Sequence, residues 1–192
     1  QGPREALRAR APVAAVPVSA QSIDEMQRRG VQFLEVTQAA DGSWTSSDAV
    51  GITGLVTTSL LMSGKTTADP IVRKGLDFIV AQQQPTGGIH VATSRFQNYE
   101  TCIALLALAE ANKDGQYDAV ISKAEQFLRG LQWDEGEGLE TTDGRYGGGG
   151  YDSKQRPAMS NTQFLIEALK KAGVADADPA MVKALIFVSR AQ

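Results

Sequence analysis

A ten-residue pattern that returns four times constrains this chain more than any single segment does. Arg29-Gly30-x-x-Phe33-Leu34-x-x-x-Gln38 comes back as Lys74-Gly75-x-x-Phe78-Ile79-x-x-x-Gln83, as Lys123-Ala124-x-x-Phe127-Leu128-x-x-x-Gln132 and as Lys183-Ala184-x-x-Phe187-Val188-x-x-x-Gln192. The phenylalanines follow one another at intervals of 45, 49 and 60 residues. Such intervals suit a pair of helices with loops of variable length, and a repeated unit of that size buries its apolar faces by stacking on its neighbours. The extra length of the third interval falls in the glycine-rich stretch from Glu135 to Arg156.

Between copies a second pattern repeats. A glycine-containing loop follows each glutamine, and then comes a helix rich in Ala, Leu, Ile and Thr, expected at about 48–62, 97–111 and 160–172. The helices that carry the template alternate charge with apolar residues, as a solvent-facing helix does, whereas Ile52–Met62 and Cys102–Ala109 contain no charge. Each unit therefore reads as an outer helix, a turn and an inner helix, and the fold class as all-α, an array of helical hairpins. Ser22 and Glu25 form a capping-box pattern, Asp69-Pro70 and Asp178-Pro179 place a cap before a first-turn proline, and Ser160-Asn161 is a further cap candidate. Gly64, Gly115 and Gly173 are expected to stop the inner helices.

Residues 1–21, with Pro3, Pro12 and Pro17 among Ala and Val, read as an extended lead-in, and 22–192 as the repeat domain. A start at Gln1 fits a processed or partial chain, and export and a cytoplasmic location are equally compatible with it. The net charge of −3, with acids and bases interspersed, offers no footprint for nucleic acid or anionic lipid. Hydrophobic residues make up 42% of the sequence, enough for a real core, yet no run approaches the roughly 18 consecutive apolar residues of a membrane span.

In the first copy the template continues as Gln38-Ala39-Ala40-Asp41-Gly42-Ser43-Trp44, so residues 29–44 resemble the QW motif of squalene–hopene and oxidosqualene cyclases. The later copies keep the helical half and lose the tryptophan: the second loop reads Gly87-Gly88-Ile89, and the third is read through Gly136-x-Gly138-Leu139. Tyr146 to Gln163 is similar to the glycine-aromatic loop and helix start of bacterial squalene-cyclase-like repeat proteins. The resemblance, to the terpene-cyclase and protein-prenyltransferase superfamily, covers about residues 22–192. It implies an α/α toroid-type array, here a fragment or half-ring, with the inner-helix N-termini facing one end of a cavity. It also implies a structural role for Gln38, Trp44, Gln83 and Gln132, which tie adjacent outer helices together. A half-ring would expose apolar helix faces, so a protein partner or a second copy is expected, with an isoprenoid or other apolar ligand as the further candidate.

Chemistry is thinly supported. The DxDD acid motif of hopene cyclases and the DDxxD magnesium motif of prenyl chemistry are both missing from the sequence. Asp48, expected at the first inner-helix start, is the best-placed acid for catalysis, and an exposed acid favoured by the helix dipole is the preferred reading of it. Protein prenyltransferases suggest a zinc site from Glu100, Cys102 and His90, the last two being the sole cysteine and histidine of the chain. The acid is Glu where the family has Asp, and a cysteine among Ile, Ala and Leu packs as a small core residue. No cofactor is expected. The glycine-rich loop lacks the lysine of a phosphate-binding loop and reads as a binding element at the cavity mouth, with Tyr146, Tyr151, Asp152, Arg156 and Asn161 as the candidates for ligand or partner contact. Aromatic residues for such a cavity look scarce: the first inner helix has none and the second offers only Phe96 and Tyr99.

Overall fold

The computed structural model describes residues 20–190. Gln192 and nearly all of the expected lead-in lie outside them. Seven α-helices are found among the described residues: α1 (Ala20–Thr37), α2 (Val50–Met62), α3 (Pro70–Ala81), α4 (Gln97–Ala111), α5 (Asp118–Arg129), α6 (Met159–Lys171) and α7 (Pro179–Ser189). A single 3-10 turn, Glu135–Glu137, interrupts the long third loop, and two isolated bridges, Gln83 with Ile89 and Gln132 with Gly149, are the sole β pairings described. No described helix is long and apolar enough to cross a membrane.

The helices alternate between two layers, giving the α/α toroid-type arrangement. Inner helices α2, α4 and α6 pack side by side, and α3, α5 and α7 lie behind them, each held chiefly by the inner helix of the preceding hairpin. Small residues set the inner spacing: a Cβ on Gly54 would stand 2.8 Å from Ile103 Cγ2, so α2 and α4 approach at backbone distance. The core between the layers is aliphatic, with Val50, Val72, Leu76, Ile79, Leu105, Leu108, Leu128 and Leu169 fully buried. Each such side chain stabilises the fold by about 1.5–3 kcal/mol.

This stacking rule explains an apolar face that stays open on α1. Gly75 of α3 packs on Thr57 and Trp44, and its equivalents Ala124 and Ala184 are fully buried, but Gly30 of α1 has nothing within 4 Å of its would-be Cβ. No inner helix precedes α1 among the described residues, and Ile23, Met26, Phe33 and Val36 are exposed, whereas Phe78, the counterpart of Phe33, is buried.

Helix ends follow the sequence signals in part. Asp69 and Asp178 occupy N-caps before Pro70 and Pro179, and the Asp178 carboxylate accepts from Ala180 N at 2.9 Å. The Asp69 carboxylate instead accepts from Thr66 N, at 2.8 Å, and closes the preceding turn. Gly64 and Gly173 follow the C-caps of α2 and α6 at positive φ, and Lys65 N and Val174 N reach back to the Leu60 and Leu169 carbonyls. Four expectations are corrected. Helix α1 already includes Ala20, the first described residue, so Ser22 lies inside the helix and not at its N-cap position. Helix α6 begins at Met159 after Ala158, which puts Ser160 and Asn161 in the first turn. Helix α2 begins at Val50, leaving Asp48 before the helix and exposed. Helix α4 ends at Ala111 with Asn112 as its C-cap, so Gly115 lies in the following loop and does not stop the helix.

Candidate functional site

The repeated glutamine builds the frame of the site. Gln38 Nε2 donates to Gly42 O and Ile71 O, Gln83 Nε2 to Gly87 O and Val120 O, and Gln132 Nε2 to Gly147 O and Ala180 O, at 2.9–3.3 Å. One amide thus clasps its own loop and the first turn of the next outer helix. The glycine in each clasp has positive φ, and a Cβ there would collide with the carbonyl of Lys74, Lys123 or Lys183, the first residue of the next template. Trp44 adds an indole N–H donated to Leu34 O at 3.0 Å. In the third copy the clasped glycine is Gly147, not Gly136 or Gly138 as the sequence suggested. The glutamine-to-glycine interval grows from 4 residues to 15, and the insertion carries the 3-10 turn.

Two residues after the clasped glycine, a backbone N–H points into the inner helix. Trp44 N, Ile89 N and Gly149 N donate to the hydroxyls of Thr53, Thr101 and Thr162 at 3.0–3.2 Å. All three threonines are fully buried, so each loop sets the rotation and height of one inner helix. The residue before each threonine is then Ile52, Glu100 or Asn161, and the one before that Gly51, Tyr99 or Ser160. All six line a single pocket at the N-terminal ends of α2, α4 and α6.

The pocket has a volume of about 500 Å³ and is completed by Ala49, Phe96, Tyr151 and Phe164. Its aromatic rings form two edge-to-face pairs, Phe96 with Tyr151 and Tyr99 with Phe164, each with centroids 5.2 Å apart. Four aromatic residues thus meet where two were counted on the inner helices, because Tyr151 comes from the glycine-rich loop and Phe164 from α6. Asn98 holds that loop in place: its Nδ2 donates to Gly150 O at 2.6 Å and its backbone N–H to Tyr151 O at 2.9 Å.

Two polar atoms of the lining are buried without a hydrogen-bond partner, Glu100 Oε2 and Asn161 Nδ2. Burial pushes the Glu100 carboxyl above the usual glutamate range; a hydrogen bond with Ser94 opposes this and the charge of Asp48 adds to it. No Lys, Arg or His lines the pocket. The pocket can take up an apolar body and offer it hydrogen bonds at Glu100 and Asn161.

The candidates named from the sequence divide accordingly. Tyr151 and Asn161 line the pocket, as does Glu100. Tyr146 is buried elsewhere, its hydroxyl donating to Glu135 at 2.6 Å beside Lys183 of α7. Asp152 accepts from Lys154 N and Gln155 N and shapes its own loop, and Arg156 is exposed. His90 directs Nδ1 at Val91 O, and Cys102, fully buried, donates to Asn98 Oδ1 at 3.3 Å, its thiol pushed up by burial. No three His, Cys, Asp or Glu side chains are grouped to hold a metal ion among the described residues, so Glu100, Cys102 and His90 do not fit the zinc set. Gly51, Ile52, Ser160 and Phe164 were missed; the shared threonine register is the signal that would have found the first three.

The family model of the squalene-hopene cyclase C-terminal domain matches residues 45–192, the greater part of the chain. No solved structure matches it.

Proposed function

Since the chain belongs to the squalene-hopene cyclase C-terminal domain family, we propose that this repeat module binds an apolar ligand, without catalysis, in the pocket at the N-terminal ends of α2, α4 and α6. The observation that carries the reading is the convergence of four aromatic residues on a cavity large enough for a small lipophilic molecule. A protein partner across the inner surface is the other form of a non-catalytic role, and the unpartnered Glu100 and Asn161 atoms favour a small molecule that reaches them. The missing DxDD and DDxxD motifs weigh against chemistry.

A neutral fluorophore, N-phenyl-1-naphthylamine, tests the reading. Saturable enhancement of its emission is expected with the unaltered protein and its loss in Ser160→Trp, a change at an exposed position of the lining that fills the pocket. Unsaturable emission, or emission unchanged in the variant, refutes it. A second reading, part of a cyclase, draws on Glu100, a buried acid beside aromatic rings that stabilise cations. Products from squalene that vanish in Glu100→Gln would establish that reading in place of the first.

A further inference from the structure

Glu100 and Asn161 hold the same register position on neighbouring inner helices, one residue before the loop-bound threonines, while Ile52 holds it on α2. Glu100 is 7% and Asn161 1% exposed, yet Oε2 of one and Nδ2 of the other meet no protein partner. Buried polar groups left in this state are rare because each forfeits its hydration, so both atoms call for a bound group. A pure hydrocarbon would leave them unmet. A carboxylate or phosphate end would enter a pocket whose lining holds no cation to pair with it.

We infer that the pocket takes an apolar molecule bearing one uncharged oxygen function, a hydroxyl, that accepts from Asn161 Nδ2 and is hydrogen-bonded to Glu100 Oε2. The aromatic residues and Ile52 hold the hydrocarbon body, and the oxygen end lies toward α4 and α6, where the two polar side chains stand. This rests on the apolar-ligand reading and adds the class of head group.

Isothermal titration calorimetry at neutral pH with naphthalene, 2-naphthol and 2-naphthoate tests it, since the three share one ring body. In the unaltered protein 2-naphthol is expected to bind about tenfold tighter than naphthalene, the worth of one buried hydrogen bond, and 2-naphthoate to bind weakest. In Asn161→Leu and Glu100→Leu the advantage of 2-naphthol should shrink while naphthalene still binds, which also shows that the variants fold. Equal binding of naphthalene and 2-naphthol, tightest binding of 2-naphthoate, or an advantage that survives both substitutions overturns the assignment and leaves the apolar pocket standing. Failure of all three probes to bind overturns both.

Discussion

The side-chain amide of Gln132 donates from Nε2 to the carbonyl of Ala180, 48 residues further along the chain, at 2.9 Å. With its second bond to Gly147 O it joins the end of α5, the glycine-rich loop and the start of α7, and the residue is almost wholly buried. Gln132→Leu keeps much of the volume and removes both buried hydrogen bonds, so it should lower stability by about 2–3 kcal/mol. Gln38→Ala, at the half-buried first clasp, should cost less, about 1–2 kcal/mol. Urea denaturation of the two variants checks the order; equal melting of both with the parent would remove the clasp from any structural role.

Gly147 and Gly173 both have positive φ, but only Gly147 presses against another backbone, at the Lys183 carbonyl. Gly173→Ala should cost about 1 kcal/mol for conformation alone, and Gly147→Ala well over about 2 kcal/mol because α7 must also move. Comparing the two melting curves isolates the close approach from the dihedral strain.

Thr101→Val removes the hydroxyl that accepts from Ile89 N and leaves that donor buried. A loss of about 1–2 kcal/mol is expected. Amide hydrogen exchange at Ile89 should accelerate in the variant beyond what the global destabilisation accounts for. Protection equal to that of distant core amides would mean the loop has another anchor.

Glu100 makes the protein less stable as the medium becomes more basic. Above the usual glutamate range the unfolded chain has released this proton and the folded chain retains it, so the folded state binds more protons and stability falls until the buried carboxyl also ionises. Glu100→Gln should flatten this decline and gain stability toward neutral pH relative to the parent. Denaturation midpoints from about pH 4 to pH 8 measure it. Parallel curves for the two proteins would show that Glu100 keeps its ordinary ionisation.

Much of the fold could be read from residues in order along the chain. The template placed every outer helix, the charge-free stretches marked the inner layer, and the Gln38-to-Trp44 run pointed to the family. These are local signals: a helix period, a cap, a glycine that must adopt positive φ. Boundaries slipped where two local candidates competed, as at Ser160 and Asn161, which resemble caps but lie inside α6 because Ala158 supplies the first helical carbonyl, accepting from Thr162 N.

The sequence by itself determined the hairpin repeat, the layering and the clasping glutamines, because each is written within one unit and stated at least three times. The tertiary structure alone decided which residues meet. Glu100 and Asn161 are 61 residues apart and share a pocket only because separate loops hold Thr101 and Thr162 at matching heights on packed helices. The long third loop likewise hides its register until Gly147 is seen against Lys183. Contacts of that kind depend on how rigid units stack through space, and no spacing along the chain encodes them.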